Sequence, residues 1–122
     1  MFWSNQTSIP EAWKLIDDAT RIAELIKRSN NTPILLFKHS TRCSISAFAL
    51  NRLVNGTDEL LDVMDIYYLD LIRYRSASNA IASELGVHHE SPQAILLFQG
   101  KVLGSLSHDR VDPEQILAFL KN

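Results

Sequence analysis

Sulfur is nearly absent from this chain: Cys43 is its only cysteine, so no disulfide closes within one copy and no pair of thiols can cycle inside it. That agrees with a reducing compartment. A surplus of either charge is missing too. Twelve Lys and Arg stand against fourteen Asp and Glu, which excludes a basic nucleic-acid groove or a polybasic membrane patch. No apolar run approaches the ~20 residues that span a bilayer. The first residues lack the charged region and continuous apolar core of a signal peptide. The expected location is the cytosol. With 46% hydrophobic and 21% charged residues, the composition matches a globular domain rather than a disordered chain. No internal repeat or linker divides the 122 residues, so one domain is expected over 1–122, with 1–7 a loose lead-in whose Phe2 and Trp3 have no legible role.

What is present centres on the lone thiol. The apolar run Ile34-Leu35-Leu36-Phe37 turns polar at Lys38-His39-Ser40-Thr41-Arg42 and reaches Cys43. A helical pattern then runs from Ser46 to Val54. Strand, short loop, thiol and helix follow one another. The first N–H groups of a helix lack intrahelical partners and carry partial positive charge, which pushes a thiol placed there toward thiolate. Lys38 and Arg42 add two cations, and nearby positive charge has the same effect. A lone cysteine is more often a small buried hydrophobe. The polar surroundings of Cys43 at a strand's carboxyl end, where open α/β sheets hold ligands, favour a nucleophile instead.

Ser8-Ile9-Pro10-Glu11 has the form of a capping box, and Trp13, Ile16, Ala19, Ile22, Ala23 and Ile26 recur at helical spacing, predicting one amphipathic helix ending near Ser29-Asn30-Asn31. Ile34–Phe37 is the first strand. In the helix after Cys43, Ile45, Phe48, Ala49, Leu50 and Leu53 are expected in the core, with Asn55-Gly56 closing it through a residue able to take positive φ. Met64–Asp70 is a second strand, and Arg73–Leu85 a helix stopped by Gly86. Val87–Ser91 forms a polar loop into Pro92. Ala94–Phe98 and Val102–Leu106 make a hairpin around Gln99-Gly100-Lys101, and Asp112-Pro113-Glu114 opens a last helix that buries Ile116, Leu117, Phe119 and Leu120. The order α-β-α-β-α-β-β-α predicts an α/β fold: a mixed four-stranded sheet with helices on both faces.

This order, with a cysteine after the first strand and a proline before the third, resembles the thioredoxin-like fold from Ile34 to Lys121. Within it, Phe37-Lys38-His39-Ser40-Thr41-Arg42-Cys43-Ser44-Ile45-Ser46 resembles the signature of the YtxJ family, the monothiol bacilliredoxins, in which the active cysteine opens a C-x-x-S pattern. The resemblance implies a bacterial thiol-disulfide oxidoreductase that removes bacillithiol, or a similar low-molecular-weight thiol, from mixed disulfides on client proteins. Bacillithiol is then a co-substrate, with no bound cofactor. Cys43 takes the cap and a second thiol resets it. Ser46 stands where dithiol relatives have a resolving cysteine, and its hydroxyl is expected either to donate to the thiolate or to be an ordinary exposed serine. Arg42 and Lys38 would tune the sulfur and meet the cap's carboxylates. Thr41 and Ser44 would contact substrate beside it. Ser91-Pro92 corresponds to the cis-proline position, where substrate backbone pairs like an added strand. Ser44 replaces the proline often found after the family's cysteine, and Phe37 replaces the buried acid of thioredoxins.

Strand alternation sends Lys38 and His39 to opposite faces, so only one leans toward the thiol, and Lys38 is the favoured one. His88, His89 and His108 match no usual zinc spacing and are expected at the surface, with no metal site. Tyr67, Tyr68 and Tyr74 are expected to pack rather than stack on bases. A monomer or weak dimer is the expected assembly. Two alternatives remain open: an iron–sulfur carrier resembling monothiol glutaredoxins, and a non-catalytic adaptor in which Cys43 is a packed hydrophobe.

Overall fold

The computed structural model describes residues 8–121, so the expectations for Phe2 and Trp3 lie outside the described residues. The elements are β1 (Lys14–Leu15), α1 (Arg21–Arg28), β2 (Ile34–His39), α2 (Ser44–Asn55), α3 (Thr57–Leu61), β3 (Asp65–Asp70), α4 (Arg75–Leu85), β4 (Gln93–Phe98), β5 (Lys101–Ser107) and α5 (Pro113–Phe119). A single 3₁₀ turn, His108–Arg110, leads into α5. The sheet order is β1-β3-β2-β4-β5. β2 runs parallel to β3, β4 antiparallel to β2, and β5 closes the hairpin. The sheet is therefore mixed, as expected, but has five strands rather than four.

The extra strand comes from the segment expected to begin a helix. Trp13 N–H closes a turn on Pro10 C=O at 3.0 Å, and Lys14-Leu15 then pair in parallel with Tyr67-Tyr68. Helix begins only at Arg21, because Asp18 takes the Thr20 N–H on its carboxylate at 2.8 Å and the Arg21 N–H on its carbonyl at 3.1 Å. Trp13 and Ile16 are both buried, yet in opposite layers, an arrangement that suits a strand and not one helix face.

Period-two alternation along the central strands divides the core. Leu35, Phe37, Ile66, Tyr68, Ala94 and Leu96 face one layer, where Leu50 and Leu53 of α2, Leu60 of α3 and Ile116 of α5 cover them. Ile34, Leu36, Tyr67, Leu69, Ile95 and Leu97 face the other, beneath Ile22 and Leu25 of α1 and Ala77 and Ile81 of α4. The hairpin turn holds Gln99 at φ 54° and Gly100 at φ 75°, the positive pair that matches strand twist in a two-residue loop. Gly86 ends α4 at φ 67°, as the sequence suggested. Gly56 closes α2 as expected, but not through a left-handed turn. Its φ is −100°, and what requires glycine there is space, since a Cβ would stand 2.6 Å from Cγ of Pro113.

Candidate active site

Three strand ends meet at one edge of the sheet. The register pairs Lys38 with Gln93 and His39 with Asp70, and the Leu71 N–H bonds the His39 carbonyl at 3.0 Å. The exits of β2 and β3 and the entry of β4 therefore lie side by side. Four residues after β2 the chain places Cys43 at the N-cap of α2, in extended geometry at φ −115° and ψ 124°. Its N–H bonds Ser40 C=O at 3.2 Å and its C=O accepts the Ala47 N–H at 3.1 Å, so its backbone is fixed on both sides. The side chain makes no capping hydrogen bond. Cys43 is a free thiol and partly exposed, which is not the environment of a packed hydrophobe. By position, the N–H groups of Ser44, Ile45 and Ser46 have no intrahelical acceptors and open toward this end of the helix.

Thr41, Arg42 and Ser44 are exposed around the sulfur, and Arg42 has no ion-pair partner among the described residues. Ile45 and Phe48, expected in the core, are instead 48% and 63% exposed. The α2 face that enters the core carries Ser46, Ala49, Leu50 and Leu53, which leaves the Ile45/Phe48 stripe outside, next to the thiol in sequence.

Lys38 does not lean toward the α2 layer. It shares its face of β2 with Leu36, is fully buried, and brings Nζ to 2.8 Å from Nδ1 of His89. Burial pulls its ammonium down to about 8 from the ordinary 10.5, against the opposing charge of Glu90. This contact joins the end of β2 to the loop that leads to Ser91-Pro92. Gln93 Nε2–H donates to His88 C=O at 3.0 Å, Ser107 Oγ–H donates to the Glu90 carboxylate at 3.1 Å, and His108 N–H donates to Pro92 C=O at 2.9 Å. Ser91-Pro92, within this tied loop, is a cis peptide. Pro92 is buried, and Ser91 Oγ is buried without a hydrogen-bond partner among the described residues.

His39 is the residue that faces α2. It lies 5% exposed against the rings of Phe37 and Tyr68, at centroid distances of 5.9 and 5.7 Å. Its Nδ1 stands 2.7 Å from Ser46 Oγ, which also accepts the Ser40 N–H at 3.0 Å. Burial lowers the imidazole pKa, while the Asp70 carboxylate and the Ser46 contact act the other way. Burial together with Asp70 raises the Tyr68 phenol to about 12. Ser46 is thus not an exposed first-turn serine. It is fully buried, and its two hydrogen-bond partners among the described residues are His39 and Ser40. Parity along β2 correctly separated Lys38 from His39, but every residue of that strand is buried, so no exposed position marked which face α2 would cover. His88, His89 and His108 are exposed as expected, and Tyr67 and Tyr68 pack in the core.

The family model described as monothiol bacilliredoxin BrxC matches residues 14–116. Among solved structures, a chain described as having a thioredoxin fold and a suggested oxidoreductase activity is 28% identical. Its TM-score is 0.78, over 89% of this chain and 94% of that one. Thioredoxin from Fasciola hepatica is 13% identical at TM-score 0.68, covering 88% of this chain and 97% of its own. Mitochondrial thioredoxin 3 from Saccharomyces cerevisiae is 17% identical at TM-score 0.68, covering 89% and 93%. The last two share the fold alone.

Proposed function

Because the chain belongs to the monothiol bacilliredoxin family, and so has a thiol redox role, we propose that Cys43 strips a low-molecular-weight thiol, bacillithiol or a close equivalent, from capped cysteines of client proteins. The observation that carries this reading is the sulfur itself: single, partly exposed, and mounted at the start of a helix beside a cis-proline loop. In the exchange the Cys43 thiolate attacks the cap sulfur of the mixed disulfide. The old S–S bond breaks, the client leaves as a reduced thiolate, and the cap stays on Cys43 as a new mixed disulfide. A second thiol must then attack that adduct and carry the cap away. No internal group can do so, since position 46 is serine.

The other residues have roles that follow from placement. The Ser91 backbone, beside the exit of β2, offers N–H and C=O groups to an extended client segment as an added strand would. Arg42, exposed and without an ion-pair partner among the described residues, meets carboxylates on the cap, and Thr41 and Ser44 border the cysteine. Lys38 has no direct part, because its ammonium is tied to His89. The whole chain acts as one domain, in the cytosol of a bacterium. A client bearing a bacillithiol mixed disulfide, incubated with excess protein and followed by intact mass, should lose the cap as Cys43 gains it. The Cys43→Ala variant should leave the client mass unchanged, and equal loss of the cap in both would end this reading.

A further inference from the structure

The hydroxyl of Ser46 has one proton to give and two polar neighbours. Ser40 N–H is a donor, so toward it Oγ is an acceptor. The other side-chain contact of Oγ among the described residues is Nδ1 of His39, 2.7 Å away; an imidazole that is neutral with its proton on Nε2 receives the Ser46 proton there on Nδ1. Ser46 is the third residue of α2 and Cys43 its N-cap, the spacing at which a side chain inside a helix can reach back to the cap. We infer that His39 is a positioning residue for Cys43: by accepting the Ser46 proton it keeps the side-chain donor one turn along the helix turned away from the sulfur. The sulfur is left to the backbone groups of the helix start, and a thiolate without a side-chain hydrogen bond is the stronger nucleophile.

The arrangement has a second state. An imidazolium donates from Nδ1, so Oγ then accepts from both Ser40 and His39, and its own proton is free to turn to Cys43. The groups facing His39 are Ser46 of α2, Tyr68 and Asp70 of β3, and Phe37 of its own strand. Asp70 is the charged member and favours the imidazolium, whereas burial disfavours it more strongly. The neutral, proton-accepting state therefore holds at and above neutral pH. His39 also stands where no buried acid is available, since Phe37 occupies the preceding inward position of the strand.

This inference rests on Cys43 being the reactive sulfur, but its test needs no cap and no client. The pH midpoint of Cys43 alkylation by iodoacetamide is read in wild type, Ser46→Ala, His39→Phe and the double variant. Ser46→Ala should match wild type, because a hydroxyl turned away contributes nothing to the thiolate. His39→Phe should lower the midpoint by about half a unit or more, since a hydrogen bond to the charged form favours it. Adding Ser46→Ala to His39→Phe should return the midpoint to the wild-type value, and a merely structural role for His39 gives no such rescue. His39→Asn, which keeps an acceptor near the Nδ1 position, should behave as wild type. The nitrogen-15 shifts of His39 in the unmodified protein report its tautomer at pH 7.5 without any substitution. A proton found on Nδ1, a raised midpoint in Ser46→Ala, or a failed rescue each overturns the inference. A failure to remove caps combined with an intact rescue would sink the functional reading alone.

Discussion

Lys38 shows how one residue's neighbours convert into a measurable pH dependence. In the unfolded chain its ammonium keeps a proton up to about 10.5, but burial lets the folded protein release it near 8. Between these values the unfolded state binds more protons, so stability rises with pH across that window, and below about 8 the buried charge is unfavourable. Urea midpoints taken from pH 7 to pH 10 should climb in wild type, and the climb should be markedly smaller in Lys38→Met. A parallel climb in both proteins would refute the assignment. At this scale the sequence was informative about Cys43 and about opposite faces for Lys38 and His39. It was silent on which of the two would meet α2, because a strand buried at all six positions has no solvent face by which to orient it. The buried Ser46–His39 bond was illegible for the same reason.

At the scale of elements, α2 departs from its apolar pattern in an instructive way. Sequence spacing assigns Ile45 and Phe48 to the core with Ala49, Leu50 and Leu53, yet those two form an exposed pair one turn apart. Five apolar positions span more of a helix circumference than one sheet face can cover, so part of the set remains outside. The pair lies two and five residues beyond Cys43, and under the proposed function a protein client would cover it where a small mixed disulfide would not. Phe48→Glu should therefore raise KM for a capped protein several-fold and leave kcat/KM for a small mixed disulfide of the same thiol nearly unchanged; equal loss on both substrates would contradict a client-facing role. The first predicted helix failed for another reason. Trp13 and Ile16 fit a helical period by number, while Asp17-Asp18, a stronger start signal three residues ahead of Arg21, lay inside the same pattern.

For the whole molecule, the layered order of strands and helices was legible because parallel neighbours need right-handed crossovers and the hairpin fixes the remaining pair. The edge strand was not, since two residues carry no periodicity of their own. The residue just before it is nonetheless well placed in the core: Trp13 is 4% exposed and meets Phe37 edge-on at 6.5 Å, adding to the layer beneath α2. Trp13→Ala should cost about 3–5 kcal/mol of unfolding free energy, the usual range for a buried aromatic. Leu15→Ala, on a residue 59% exposed, should change it by less than about 0.5 kcal/mol. Chemical denaturation of both variants checks the strand assignment.

The serine at position 46, its hydroxyl turned into the protein, has one more effect. Once Cys43 is tagged, nothing within the same molecule can untag it, so the tag endures until a collision with some outside thiol. Under the proposed function the tagged fraction is then set by how fast tags arrive against how fast outside thiols remove them, and an intact-mass spectrum of the purified chain would read that balance.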